Sequence, residues 1–394
     1  MKQKILFGLL ALLLAGCAST LPPMPPASPG LPATACNCTP VDGIPPRPVE
    51  KPLQLAIWSD LPGWGSDDLL PALDAFVASC KVLERQPTWN PVCTSAKTAD
   101  RSNLRDWFEA QLQPWQLVNP DGSRDGLITG YYEPIIKGSR KQSKLFPYPV
   151  FGPPDDLITV DLVDIYPELK NMRLRGRIEG KKLVTYYSRA EWSKQEGKRR
   201  DDVLLWAADA VDLFFMQIQG SGQVDLENDQ RIRLSYADQN GHPYKAIGRW
   251  LADQGEMKIE QTSMQGIKAW AAANPQRLQQ LLNANPSIVF FREVPLTGVG
   301  PPGALGIALT PERSIAVDSR TTSLGSLVWL STTRPGSETP LQRVMLAQDT
   351  GGAIRGPVRA DFYWGSGPAA GEVAGRMKQK GQMWVLLPKA YAPK

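Results

Sequence analysis

Two aspartates, Asp349 and Asp361, bracket a glycine-rich connection: Gln348-Asp349-Thr350-Gly351-Gly352-Ala353-Ile354-Arg355-Gly356-Pro357-Val358-Arg359-Ala360-Asp361-Phe362-Tyr363-Trp364-Gly365. The apolar runs on either side place both where neighbouring strands end, with three successive aromatics just beyond the second. Two carboxyls that are buried or feel each other's field do not both ionise easily, and the one held protonated is a general acid at neutral pH. Aspartate beside glycine at a strand end is also ordinary turn chemistry, so this stretch alone leaves both readings open. Glu133, in Thr129-Gly130-Tyr131-Tyr132-Glu133-Pro134, is a rival acid beside aromatics that can stack on a ligand. Its other reading is hydrogen bonding that holds a wall of the site.

The chain contains one histidine, His242, in the turn sequence Asn-Gly-His-Pro. Ser-His-Asp and Cys-His machinery and most catalytic zinc sites need this residue, so proton transfer falls to carboxylates, Lys, Tyr or Cys. No Cys-x-x-Cys spacing suggests a metal, and no metal or cofactor is expected. The net charge is +5 without a Lys/Arg-rich run, so nucleic acid is not an expected partner.

The elements that must position these carboxyls occupy a chain of 394 residues, enough for two domains with sizeable cores. Its 34 Gly and 36 Pro exceed the usual share of about 12% and argue for turns between many short strands. Lys2 and Lys4 precede an apolar run, Ile5 to Leu14, that is too short for the ~20 residues of a spanning helix. Leu14-Ala15-Gly16-Cys17 follows, and residues 1–16 look like a bacterial lipoprotein signal with Cys17 lipidated. Ala18 after it resembles the sorting signal of outer-membrane lipoproteins, which implies an outer-membrane anchor with the protein facing the periplasm. Residues 17–52 form the anchor and a tether, with 11 prolines in the 32 residues from Leu21 to Pro52. In that oxidising compartment Cys80 and Cys93 are the credible disulfide, while Cys36 and Cys38 are free, mutually strained or cross-linked elsewhere.

From Leu53 onward, Asp67 or Asp68 can cap a helix through Leu69, Leu70, Leu73, Phe76, Val77, Cys80 and Leu83, and Leu104, Trp107, Phe108 and Leu112 repeat the spacing. After Asp125 come short strand-like runs: Gly126 to Tyr132, Leu174 to Ile178, Leu183 to Tyr187, Leu213 to Ile218 and Val224 to Leu234. A helix from Asn274-Pro275 to Leu282 and a strand from Ser287 to Val294 follow. Four further strands are expected at Ser314 to Val317, Leu327 to Leu330, Val344 to Gln348 and Trp384 to Leu387. The texture is mainly β with some helices, and a barrel is expected.

Ser314-Ile315-Ala316-Val317-Asp318, Leu324-Gly325 and the Asp349 to Gly365 stretch resemble the three-aspartate domain that closes the membrane-bound lytic murein transglycosylase A family. Thr129 to Pro134, Met216-Gln217-Ile218-Gln219-Gly220-Ser221-Gly222 and Tyr236 to Tyr244 resemble its other signatures, in the same order. The resemblance implies a six-stranded double-psi β-barrel from residues 53–138 and 293–394, an inserted β domain over 139–292, and a glycan groove between them. It implies cleavage of the β-1,4 bond between N-acetylmuramic acid and N-acetylglucosamine of peptidoglycan with formation of a 1,6-anhydro product. Asp361 matches the catalytic aspartate; Asp349 and Asp318 match the two that shape the site and its electrostatics. Tyr131, Tyr132, Glu133, Gln217, Gln219, Ser221, Tyr363 and Trp364 are the expected substrate contacts, although Gln217, Gln219 and Ser221 can equally satisfy local backbone groups. Cell-wall synthesis proteins are possible companions. A hydrolase on the same glycan, and a non-catalytic wall-binding or wall-loosening module, are the competing classes.

Overall fold

The structure, a computed structural model, describes residues 52–172 and 174–391. The expected signal peptide, Cys17, Cys36, Cys38 and the tether as far as Lys51 lie outside the described residues.

The described chain opens with β1 (Leu53–Leu55), α1 (Leu70–Leu83), α2 (Asn90–Lys97), α3 (Leu104–Gln111), β2 (Leu112–Leu117) and β3 (Gly126–Glu133). The middle holds β4 (Ile135–Ser139), β5 (Tyr148–Phe151), β6 (Ile158–Thr159), β7 (Arg175–Glu179), β8 (Lys182–Thr185), α4 (Arg189–Trp192), β9 (Val203–Ala207), α5 (Ala210–Gln219), β10 (Ser221–Leu226) and β11 (Arg231–Gln239). It ends with α6 (Ile247–Asp253), α7 (Met264–Ala273), α8 (Leu278–Asn283) and β12 (Val289–Val294). The last segment is β13 (Ser314–Val317), β14 (Leu327–Thr333), β15 (Pro340–Asp349), β16 (Arg359–Ser366), α9 (Gly367–Arg376) and β17 (Lys378–Pro388).

Six strands close into a barrel in the order β17-β14-β15-β13-β16-β3, with β3 returning to β17. Closure depends on the length of β17: Lys378–Gly381 pair with β3, while residues further along pair with β14 and β2. A closed ring leaves no unpaired edge, and its two parallel contacts, β13 with β15 and β16 with β3, require long crossovers elsewhere. The barrel strands share one apolar core with helices α1, α2 and α3. Trp329 and Trp384 face each other across β14 and β17 with essentially no exposed surface, and Phe76, Phe108 and Phe362 join the same core. Each such side chain contributes about 1.5–3 kcal/mol when fully buried.

Helix α1 forms where its apolar spacing places it, and Cys80 and Cys93 tie α1 to α2 by a disulfide. Asp68 accepts from the backbone N–H of Leu70 at 3.2 Å. Asp67 does something else: its carboxylate takes two hydrogen bonds from the buried Arg313, at 2.7 and 2.9 Å, and one from the N–H of Val344 at 2.8 Å. This ion pair fixes the start of β13 against β15.

The chain leaves the barrel at Pro134. β4, which falls on the barrel side of the expected boundary at residue 138, pairs instead in a second sheet of order β12-β11-β10-β4-β9-β5. A smaller sheet, β6-β7-β8, accompanies it. The run Leu213 to Ile218, expected as a strand, is part of helix α5. Asp209 caps it by accepting from the N–H of Asp212 at 2.8 Å, and Gly220 ends it in the left-handed region at φ +78°. The helix is apolar on two sides because Leu213 and Met216 pack on the sheet while Val211 and Phe214 pack on the other helices. A helix buried on both sides shows a continuous apolar run, so its periodicity resembles that of a buried strand.

Candidate active site

Asp361 lies on β16, opposite Ala316 of β13 on one side and Thr129 of β3 on the other. Ala316 in turn stands opposite Asp349 of β15. Asp349, Ala316, Asp361 and Thr129 therefore form one row across four strands, and the two aspartates are two strand spacings apart, about 10 Å between Cα atoms. The small side chain of Ala316 is all that stands between them in the row.

This alignment depends on a β-bulge. Ile315 pairs with Ala347 but Ala316 pairs with Asp349, so Gln348 is an extra residue on β15. The bulge brings Asp349 to the place a regular ladder would give Gln348, the kind of re-aiming for which bulges serve beside active sites. Gln348 is fully buried, and its amide donates to Ser79 Oγ at 2.9 Å and to the carbonyl of Ala75 at 3.3 Å while accepting from Ser314 Oγ. These contacts with α1 and β13 satisfy the bulged side chain in an apolar core.

Asp361 is half-buried, and burial is the main reason its carboxyl is pushed up to about 6. Thr129 Oγ1 donates to its Oδ1 at 2.6 Å, which works in the opposite direction, as does the charge of Arg359; the charge of Asp349 adds a smaller upward push. Arg359 donates to the same Thr129 oxygen at 2.9 Å. The hydroxyl is thereby committed to donating to Asp361. Oδ2 of Asp361 accepts no hydrogen bond among the described residues, so it is the oxygen that can carry an acidic proton.

The other carboxylates are occupied. Asp349 Oδ1 accepts from the N–H groups of Ala304 at 3.0 Å and Thr350 at 2.9 Å, and its Oδ2 accepts from the Tyr131 hydroxyl at 3.0 Å. Burial and the neighbouring carboxylates hold that phenol well above its ordinary range. Asp318, just beyond β13, is held down at about 2 by hydrogen bonds from Arg320, assisted by the N–H of Gly356 on its Oδ2 at 2.8 Å. It fastens the glycine-rich connection between β15 and β16.

Glu133 has no accessible surface. Its Oε1 accepts from Arg233 Nε at 2.7 Å, and its Oε2 accepts from Arg233 Nη2 at 3.2 Å, Gln223 at 2.7 Å and Ser366 Oγ at 2.7 Å. It ties β3 to β10, β11 and the end of β16. No surface remains for the direct substrate contact expected of it, and the wall-holding alternative fits its surroundings.

The aromatics also lie deeper than their sequence suggests. Both faces of β16 are covered: Phe362 and Trp364 lie in the core on one face, ring centroids 4.6 Å apart, and the Trp364 indole N–H meets the Met377 sulfur. Gly130 permits this packing, because a Cβ there would stand 2.8 Å from that indole nitrogen. Tyr363 shares the face of Asp361 but is covered and packs 5.2 Å from Tyr131. Tyr131, Tyr132 and Trp364 each retain less than a tenth of their surface, too little for the broad stacking platforms expected of them.

Gln219 accepts from the N–H of Tyr132 at 3.1 Å and so pins the end of β3 to α5, a local backbone role. Gln217 accepts from Arg189 at 2.6 Å, beside a cavity walled by residues of the middle segment alone. Ser221 is buried at the start of β10. None of the three hydrogen-bonds to Asp361 among the described residues. Thr129 donates to Asp361 and Arg359 to Thr129, and neither stands among the site residues expected from sequence. The available signal was spacing: Arg359 and Asp361 are two residues apart on a strand and share a face.

The model of the MltA specific insert domain matches residues 127–292, and that of the 3D domain matches residues 313–387. The first match begins inside β3, so it includes the barrel strand that supplies Thr129. A membrane-bound lytic murein transglycosylase A of Escherichia coli K12 is 31% identical over 294 residues, covering 73% of this chain and 72% of the relative. The crystal structure of MltA from Neisseria gonorrhoeae, in its monoclinic form, is 37% identical with a TM-score of 0.76, over 87% of this chain and 94% of that one. E. coli MltA with bound chitohexaose is 27% identical with a TM-score of 0.66, over 87% and 95% of the two chains. The family matches fall on the barrel that carries the three aspartates and on the sheet inserted into it, and the chain belongs to the membrane-bound lytic murein transglycosylase A family.

Proposed function

We propose that this protein is a lytic transglycosylase that cleaves the β-1,4 bond between N-acetylmuramic acid and N-acetylglucosamine in peptidoglycan, with Asp361 as acid and then base. The observation that carries the reading is that Asp361 alone among Asp318, Asp349, Asp361 and Glu133 keeps an oxygen without a hydrogen bond, on a carboxyl raised to about 6. Family relatives named lytic murein transglycosylase and the chitohexaose complex support the substrate class.

The protonated Oδ2 gives its proton to the glycosidic oxygen as the C1–O bond breaks and N-acetylglucosamine leaves. The C6 hydroxyl oxygen of the muramyl residue then bonds to C1, and its proton returns to Asp361. No water is consumed, and the carboxyl ends as it began. The carboxylate of Asp349, fixed by two backbone N–H groups and Tyr131, sits in the same row and stabilises positive charge developing at C1. A hydrolase would need a second carboxylate free to hold water, and Asp349 and Asp318 are engaged by their own partners.

The inserted sheet and its helices are the second wall of the glycan site in this reading, and Asp318 shapes the loop that frames it. Cys17 carries the lipid that anchors the protein in the outer membrane, facing the periplasm; the relatives' name, membrane-bound, agrees with membrane association. Cys17→Ala is expected to move the protein into the soluble periplasmic fraction, and retention in the membrane would refute that part. For the reaction itself, mass spectrometry of products decides: anhydro products are one water lighter than hydrolytic ones, and a binding module releases none.

A further inference from the structure

The inserted segment holds a cavity of about 280 Å³ that shares no lining residue with the aspartate site. Its walls include Phe151, Trp192 and Phe214, and two opposite charges, Arg189 and Glu196, also line it. The guanidinium is rigidly held: Nε donates to the carbonyl of Asn285 at 3.1 Å, Nη2 donates to Gln217 and to the carbonyl of Ser287, and the group stands 4.9 Å over the Phe214 ring. Nη1 makes no hydrogen bond among the described residues, nor does either carboxylate oxygen of Glu196.

Each charge favours the ionised form of the other, while burial lowers Arg189 to about 9 and raises Glu196. Even so, they do not form an ion pair within 4 Å. Two half-buried opposite charges that sense each other gain by closing to contact, so a gap between them with apolar walls is unfavourable without counter-charges. A neutral sugar would leave both charges uncompensated. An anion would satisfy Arg189 and be repelled by Glu196. Only a ligand with both signs matches the pair.

We propose that this cavity binds a zwitterion, a free amino acid or dipeptide, with its carboxylate on Nη1 of Arg189, its ammonium on Glu196 and its apolar body against Trp192 and Phe214. The volume suits one or two residues. Under the proposed function, on which this biological role rests, the ligand is a free amino acid or dipeptide released when the peptide part of murein is broken down.

The test titrates the full-length protein with alanyl-alanine by calorimetry, alongside its N-acetylated and C-amidated forms. Saturable one-to-one binding is expected, weakened about tenfold or more by either blocking group. Glu196→Gln should remove the preference for the free amine over the N-acetylated form, and Arg189→Gln the preference for the free carboxylate over the amide. The Glu196 side chain makes no hydrogen bond among the described residues, so its variant reads the site even if Arg189→Gln misfolds. Absence of saturable binding, equal binding of all three forms, or an amine preference that survives Glu196→Gln overturns the proposal. The readout uses no glycan. Binding failure therefore leaves the role of Asp361 standing, and an active Asp361→Asn variant would leave this site standing.

Discussion

Thr129 Oγ1 donates to Oδ1 of Asp361 at 2.6 Å across the parallel β3–β16 pair, and Arg359 donates to the same hydroxyl from two residues before the aspartate. The relay stabilises the ionised carboxyl while burial favours the neutral one, and burial prevails.

Thr129→Val keeps the shape of the residue and removes the hydrogen bond that lowers the carboxyl. Activity that requires protonated Asp361 falls as pH rises through about 6. In the variant that limb is expected to move upward by up to about 1 pH unit, with a lower maximal rate because the carboxyl is less well oriented. The pH dependence of kcat measures it, and an unmoved limb contradicts the relay.

Asp349→Asn acts in the other direction. It removes a charge that raises Asp361, so the limb moves to lower pH, and the rate falls because a negative charge near C1 is lost. The shift is smaller than for Thr129→Val, since the aspartates are separated by two strand spacings and burial dominates. Opposite movement of the two limbs is the signature to look for.

Glu133→Gln is expected to reduce stability without abolishing chemistry. The fully buried pair with Arg233 loses its charge balance, leaving a buried guanidinium uncompensated at a cost of about 3–5 kcal/mol. Thermal melting together with the rate at a temperature where the variant is folded separates the two effects. A variant that melts like the parent but makes no product would transfer the acid role to Glu133.

The disulfide is a stability element remote from this chemistry. Replacing both Cys80 and Cys93 by Ala opens a loop between residues 13 apart in sequence and should cost roughly 3 kcal/mol in the chain-entropy model. The melting temperature should drop while kcat at low temperature stays unchanged.

Much of this site was legible because its key residues are local in sequence: Asp349 and Asp361 flank one connection, and Asp318 ends a short apolar run. The disulfide and α1 were legible for the same reason. What joins distant segments was hidden. The saturation of Glu133 depends on Gln223 and Arg233, 90 and 100 residues away, and nothing local distinguishes a free strand-end carboxyl from a saturated one. The bulge at Gln348 breaks the period of two on which strand reading relies. Phe362-Tyr363-Trp364 reads as an aromatic surface, but both faces of β16 are covered, so all three are buried. Helix α5 has the sequence pattern of a buried strand because both its faces are buried.

Asp361→Asn tests the central claim most directly. A carboxyl at about 6 in the folded protein and about 3.9 unfolded favours folding only while it is protonated, and that contribution is lost as pH rises through about 6. At pH 7 and above the charged form therefore costs roughly 2–3 kcal/mol, which the amide removes. We predict that purified Asp361→Asn melts a few degrees higher than the parent at pH 7.5, and that mass spectrometry finds no anhydro-muramyl product from it where the parent produces anhydro product alone. Anhydro product from Asp361→Asn at near-parental rate, or products of the parent heavier by one water, would contradict the account.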